Sequence, residues 1–325
     1  MKAIWLEQSD GKTHAALKDI PESVLDEGDT LVSVEWSSLN YKDGLAITGK
    51  SPIVRKFPMI PGIDLAGTVK SCSSGAWLPG DRVALTGWGY GENAFGGLAQ
   101  MARVNGDKLV RLPESMETRT AMAIGTAGFT AMLSVMALER NGVSPDRGEV
   151  LVTGSGGGVG GFAVALLAKR GYKVVAVTGR AAEGERLLRL GAAEIMDRDA
   201  FSQPGKPLTK ERWAGVVDSV GSHTLVNACA STRYGGTVAA SGLAQGMDFP
   251  ASVAPFILRG VTLAGIDSVS FPMSSRGAVW QGLAQDLSPD AIMNMAVSLP
   301  LEDVITRAHD LLAGTVSGRL VVDLR

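Results

Sequence analysis

The stretch VTGSGGGVGGFAV, residues 152–164, constrains the fold more than any other feature of this chain. Gly156, Gly158 and Gly161 have the G-x-G-x-x-G spacing, with Gly157 and Val159 between them. EVLVT (149–153) precedes the loop and reads as a buried strand. An apolar run over 159–171 follows it and reads as a helix stopped by Gly171. In that context the glycines have three uses. They let the strand turn sharply into the helix, let a pyrophosphate rest on bare backbone, and let helix and sheet pack closely. The free N–H groups and dipole of the helix start then favour negative charge. A glycine-rich turn can also be purely structural, but the strand before it and the helix after it select the nucleotide reading. No Gly-Lys-Ser/Thr follows, which argues against a phosphate-binding loop of the NTPase kind.

The alternation continues. KVVAVT (173–178) reads as a buried strand and GERLLRLG (184–191) as a helix with Leu187, Leu188 and Leu190 on its apolar side. AEIMD, AGVVDSVG and GGTVAASG repeat the strand theme. Continuously apolar strands alternating with helices predict a parallel sheet covered on both faces, an α/β fold. The first third differs. Short strand-like runs at 30–34, 67–69, 82–85 and 109–112 sit between Gly, Pro, Asp and Ser clusters, predicting a β-rich barrel or sandwich. Residues 116–136 are mostly helix formers broken by Gly125 and Gly128. The chain ends in a strand-like run, 319–324. The expected domains are therefore 1–124 joined by 293–325, and 125–292.

At 325 residues both domains have room for a core. The formal net charge of −2 disfavours nucleic acid as a partner. Two cysteines, Cys72 and Cys229, argue against a disulfide framework, and MKAIWLEQSDGK lacks the apolar segment of a secretory leader. A cytoplasmic location is expected. Apolar runs such as 162–168 fall short of the roughly 20 residues of a membrane span, so no membrane association is expected.

The end of the second strand indicates the nucleotide. Sites for NADH usually place Asp or Glu there to hold the ribose 2′-hydroxyl. This chain has Thr178-Gly179-Arg180, a hydroxyl and a guanidinium suited to a 2′-phosphate, and Arg198 follows the third strand. Glu183 and Glu185 are expected to point outward. The expected cofactor is NADPH, the plainer alternative being that Arg180 is a solvated surface residue.

Longer blocks carry a resemblance: 36–50 (WSSLNYKDGLAITGK), 57–69 (FPMIPGIDLAGTV), 85–104, 124–139, 213–221 and 255–269 (PFILRGVTLAGIDSV). With the glycine loop they make the chain similar, nearly end to end, to the quinone-oxidoreductase-like branch of the medium-chain dehydrogenases/reductases, and within it to the acrylyl-CoA reductases. The resemblance implies a GroES-like catalytic domain, a Rossmann domain, an active site between them, and a homodimer joined through the Rossmann sheets. It implies NADPH-dependent reduction of the 2,3 double bond of acrylyl-CoA to propionyl-CoA, the substrate being a small acyl-CoA thioester.

Zinc relatives of this superfamily need Cys, His and Glu ligands. Here Gly62-Ile63-Asp64 stands where they carry Gly-His-Glu, there is no C-x-x-C, and His14, His223 and His309 have no ligand-like spacing. Zinc is not expected, and conjugate reduction needs none. The resemblance puts Tyr41 near the nicotinamide. A phenol, with an ordinary pKa near 10, is protonated at neutral pH and able to donate. Water is the alternative donor, with Tyr41 only packing on the cofactor. Asn40 and Asp43 are read as fixing the turn that presents Tyr41. Residues 126–128 and the loop 87–97 are expected to line the cleft. Gly242, Leu243 and Ile266 match positions beside the nicotinamide, and Arg319 is a further candidate for cofactor contact. Lys50, Arg55 and Lys56, with Asn40, are candidate substrate contacts, since CoA carries several phosphate charges. A solvated charged loop is an equal reading of the basic three. Two functions compete with the first: a quinone or small-enone reductase, and a non-catalytic NADPH-binding protein.

Overall fold

The computed structural model describes every residue from Met1 to Arg325. The chain forms two compact units, Met1–Thr126 with Ser268–Arg325, and Ala127–Asp267.

In the first unit, β1 (Lys2–Ser9) and β2 (Lys12–Asp19) make an antiparallel hairpin. There follow β3 (Thr30–Leu39), α1 (Tyr41–Thr48), β4 (Asp64–Cys72), β5 (Arg82–Thr86), β6 (Met101–Val104), β7 (Val110–Arg111) and α2 (Thr118–Arg140), whose residues from Ala127 on belong to the second unit. The second unit holds β8 (Glu149–Val152), α3 (Gly158–Lys169), β9 (Lys173–Thr178), α4 (Gly184–Arg189), β10 (Ala192–Asp197), β11 (Trp213–Asp218), α5 (Ser222–Ser231), β12 (Thr232–Ala240), α6 (Ala254–Arg259) and β13 (Thr262–Gly265). The chain then returns through α7 (Met273–Asp286), α8 (Pro289–Met293), β14 (Ala296–Pro300), α9 (Val304–Leu312) and β15 (Arg319–Asp323).

The second unit's sheet is wholly parallel, with spatial order β10-β9-β8-β11-β12-β13. Counted from β8, this is the 3-2-1-4-5-6 order of doubly wound dinucleotide-binding sheets. Every residue of β11, and five of the six in β9, is buried, which explains their unbroken apolar sequence. Helix α3 is buried continuously from Gly160 to Leu167, so it is apolar all round rather than on one stripe. In α4, Leu187 is buried but Leu188 is exposed, so the apolar side expected there is narrower than three leucines.

The first unit's main sheet has seven strands. Its path is β14-β15-β3-β4-β5-β7, with β6 paired to β3. Strand β15 pairs antiparallel with β3, joining the end of the chain to the first third. The return begins at Ser268, earlier than the sequence suggests at about 293. The reason is Arg276 on α7. Its guanidinium is wholly buried, and Nη1 donates to the carbonyl and the hydroxyl of Thr86, both at 3.0 Å. Charge of this kind reads as surface in a sequence.

Helix α2 also departs from expectation. It is long and apolar enough to cross a membrane by composition, yet 89% of its apolar window is buried inside the protein, as in a core helix. It is broken at Gly125, with φ 48° and ψ −157°. Gly128 stays helical.

Candidate functional site

Tyr41 is the first residue of α1 and is 45% exposed. The segment expected to be a turn is a capped helix start. The Asn40 backbone N–H donates to Asp43 Oδ2 at 2.8 Å, and Gly49 closes the helix in the left-handed region at φ 66°. The buried Asn40 side chain is a hub. Its Nδ2 donates to Ser38 Oγ at 3.1 Å, Asp43 Oδ2 at 3.1 Å and Asp64 Oδ2 at 2.9 Å, while its Oδ1 accepts from Arg319 Nη1 at 2.9 Å. Asp64 Oδ2 also accepts from Ser38 Oγ and the Thr126 N–H, and its Oδ1 accepts from Thr126 Oγ1. Arg319 donates Nε to the Ala123 carbonyl at 3.1 Å, and its Nη2 lies 3.9 Å from Asp64.

Two carboxylates and one guanidinium are thus enclosed together under Tyr41. Burial pushes the Asp43 carboxyl up to about 7; N–H groups from Asn40 and Ile63 oppose this, and neighbouring Asp64 adds to it. Burial lowers the Arg319 pKa, against the pull of Asp64 and Asp43. Asp64, noted in the sequence only as a missing zinc ligand, is the centre of this cluster. Arg319 is committed to it through Nε and Nη1 rather than lying open to solvent.

These residues do not fit a zinc ion. No three His, Cys, Asp or Glu side chains are grouped to hold a metal, and both Asp64 oxygens already accept hydrogen bonds. Cys229 is buried and its thiol is pushed up to about 12, while Cys72 lies at the end of β4.

Loop 87–97 is held by α7 and the segment before it. The Trp88 backbone N–H donates to the Val269 carbonyl at 3.2 Å, and the Trp88 ring has Arg276 of α7 4.7 Å and Lys108 4.6 Å from its centroid. Of the basic candidates, Lys56 pairs with Asp26 at 3.0 Å, while Lys50 and Arg55 are exposed.

In the second unit the expected cofactor residues collect at one edge of the sheet, beyond the C-terminal ends of the strands. The glycine loop follows β8, Thr178-Gly179-Arg180 follows β9, and Arg198 follows β10. Gly242 and Leu243 follow β12, and Ile266 follows β13. At the switch point, Thr153 Oγ1 donates to the buried Asp218 at 2.6 Å, and Asp218 accepts the N–H groups of Val220 and Gly221. Burial raises the Asp218 pKa.

The loop fits a dinucleotide. Gly156 and Gly157 offer bare backbone, and the first N–H groups of α3, at Gly158 and Val159, have no partner within the helix. A Cβ at Gly156 would stand 2.7 Å from Arg180 Nη2, and one at Gly179 would collide with the Arg198 side chain. Arg180 therefore lies against bare Gly156 in the loop after β8, and Arg198 against bare Gly179 at the end of β9. Glu183 corrects the sequence reading. It is buried, its Oε2 accepts from Arg186 Nε at 2.7 Å, and its Oε1 is 3.7 Å from Arg180. Glu185 does point outward. Arg186 was missed; its only signal in the sequence is its place three residues after Glu183 on a helix.

Two family models match: alcohol dehydrogenase GroES-like domain over residues 26–114, and zinc-binding dehydrogenase over 158–285. The chain is 52% identical over 322 residues to the probable acrylyl-CoA reductase AcuI of Escherichia coli, covering 99% of each. It is 50% identical over 319 residues to the acrylyl-CoA reductase AcuI of Ruegeria pomeroyi, covering 98% of this chain and 97% of the relative. The crystal structure of the yhdH oxidoreductase of Salmonella enterica in complex with NADP superposes with a TM-score of 0.98 at 51% identity, covering 100% of each chain. The GroES-like and Rossmann units, the 3-2-1-4-5-6 sheet and this end-to-end similarity lead to one assignment: the chain belongs to the acrylyl-CoA reductase family of the medium-chain dehydrogenases/reductases.

Proposed function

We propose that the chain is an NADPH-dependent acrylyl-CoA reductase, converting the thioester to propionyl-CoA. The observation that carries the reading is the pairing of an arginine-flanked glycine loop with an exposed phenol on a braced helix start, in a chain about half identical to acrylyl-CoA reductases over its whole length. When bound, NADPH supplies a hydride to the β-carbon of the conjugated thioester and leaves as NADP+.

The chain's own residues do the rest. Gly156, Gly157, Gly158 and Val159 take the pyrophosphate on backbone, while Thr178, Gly179, Arg180 and Arg198 take the 2′-phosphate. Gly242, Leu243 and Ile266 flank the nicotinamide. The hydroxyl of Tyr41 donates the proton that completes the α-carbon. Asn40, Asp43 and Asp64 hold the backbone of α1, so Tyr41 starts from a fixed position. Arg319 keeps Asn40 oriented. Lys50 and Arg55, exposed and unlike Lys56 without a salt bridge, are the better candidates for CoA phosphates.

The fold is proposed to work as a zinc-independent, cytoplasmic homodimer. Supporting the dimer, β13 is the outer strand of its sheet, and Leu263 on it and Ile257 and Leu258 on α6 are exposed apolar side chains.

The test follows NADPH consumption with acrylyl-CoA, crotonyl-CoA, free acrylate and a simple quinone. Turnover confined to the thioesters is expected. Turnover with the quinone alone would replace this reading with a quinone reductase, and no turnover with any substrate would leave a binding protein.

A further inference from the structure

The Gly156 carbonyl, on a buried residue of the glycine loop, receives two guanidinium donors. Arg180 Nη2 reaches it at 3.0 Å and Arg186 Nη2 at 3.2 Å. Both arginines face the buried Glu183: Arg186 is fixed on α4 by it, Nε to Oε2 at 2.7 Å, and Arg180 Nη2 stands 3.7 Å from the other oxygen of the same carboxylate. Arg180 lies two residues past the end of β9, on extended backbone at φ −123° and ψ 102°, and Arg186 is on α4.

We propose that Arg186 is a positioning residue for nucleotide selection: it keeps the Gly156 carbonyl hydrogen-bonded when Arg180 leaves that carbonyl to grip a 2′-phosphate. The inference rests on the reading of NADPH as the cofactor and adds a residue to it. Its physical basis is the penalty for stranding a buried acceptor. If Arg180 were the sole donor, moving it to a ligand would leave the carbonyl unpaired, and part of the gain from the phosphate contact would be lost. With Arg186 already in place, the carbonyl keeps one donor after the exchange. Glu183 contributes by holding Arg186 at the carbonyl, so the second guanidinium does not follow the first toward the phosphate. A nucleotide without the 2′-phosphate gives Arg180 no reason to move, so its binding is indifferent to Arg186.

The experiment measures dissociation constants for NADPH and NADH by titration calorimetry on the whole protein, for wild type, Arg186→Met and Arg186→Lys. Wild type is expected to prefer NADPH. Arg186→Met is expected to weaken NADPH about tenfold, the scale of one stranded buried acceptor, with NADH within roughly twofold of wild type. Arg186→Lys, which keeps a donor at similar reach, is expected to recover most of the loss. Retained NADH binding also shows that the variant site is folded. Unchanged NADPH affinity in Arg186→Met, or equal weakening toward both nucleotides, overturns the inference while leaving the cofactor assignment standing. If Arg186→Met does not fold, Arg186→Lys decides: it overturns the inference if it weakens NADH as much as NADPH. A wild type that does not distinguish the nucleotides refutes the cofactor assignment itself.

Discussion

Gly125→Ala tests the buried cluster beneath Tyr41. Gly125 has φ 48° and ψ −157°, a region that only glycine occupies freely. A Cβ built there would stand 2.6 Å from Asp64 Oδ2, 2.7 Å from Arg319 Nη2 and 2.9 Å from Ser38 Oγ. All three distances are below any real Cβ contact, and none of the three atoms is the free end of an exposed side chain. Asp64 Oδ2 accepts from Ser38, Asn40 and Thr126, so moving it strains several bonds to a charged group. The backbone strain costs about 1–3 kcal/mol. One lost charge-assisted bond costs about 1.5–3 kcal/mol more. The sum, roughly 2.5–6 kcal/mol, is a large share of the about 5–15 kcal/mol that holds a typical domain folded. At roughly 2–4 °C per kcal/mol, the thermal midpoint falls by at least about 5 °C. Calorimetric melting measures it. The control is Gly277→Ala in α7, where a Cβ meets nothing within 4 Å and the residue is exposed; alanine there gains about 0.5–1 kcal/mol from helix propensity. A Gly125→Ala midpoint within about 2 °C of wild type would refute the account of the cluster as closely packed around Gly125.

Three other perturbations probe the proposed site. Tyr41→Phe removes the hydroxyl and keeps the ring, so kcat is expected to fall by about 10²-fold with little loss of NADPH affinity; an unchanged kcat assigns the proton to water. Arg180→Asp puts a carboxylate against the 2′-phosphate and is expected to raise KM for NADPH about 10²-fold while NADH is nearly unaffected, equal effects on both being inconsistent with the assignment. For Asp43 the sign follows from its carboxyl being pushed up to about 7: the folded state holds this proton where the unfolded chain has released it. Its stabilisation is present below the ordinary carboxylate range and is lost as pH rises through about 7. Wild type should therefore lose on the order of 2 kcal/mol relative to Asp43→Asn between roughly pH 5 and pH 8, read from paired melting curves, and parallel curves would contradict it.

The parallel sheet was legible because its strands are buried on both faces and carry unbroken apolar runs between helix signals. The glycine loop was legible for a related reason, since backbone conformation and close approach leave glycine as the residue that fits. The hairpin β1–β2, helix α1 and the early return at Ser268 were not legible. Strand β2, with the sequence KTHAALKD, is mostly half-buried and carries no clean alternation. Helix α1 spans only Tyr41–Thr48, and its first turn reads as a polar loop until the Asp43 cap is seen. The return depends on a buried arginine, Arg276, whose partners at Thr86 are 190 residues away in sequence.

The charged part of the site follows the same logic. Asp64 and Glu183 each look like surface or missing-ligand residues in sequence, because a carboxylate is ordinarily solvated. Both are buried, and each is held by donors that only the tertiary fold supplies: Ser38, Asn40 and Thr126 around Asp64, Arg180 and Arg186 around Glu183. A buried carboxylate of this kind is expensive to leave unpaired and cheap to keep once paired, so it fixes the geometry of whatever stands against it. In one unit that is the helix start bearing Tyr41, and in the other it is the arginine pair on the glycine loop. The sequence showed the groups proposed to touch cofactor and substrate more readily than the acids that hold them in place. Contacting groups are confined to a few residue types at marked positions, whereas the bracing acids depend on neighbours tens of residues distant.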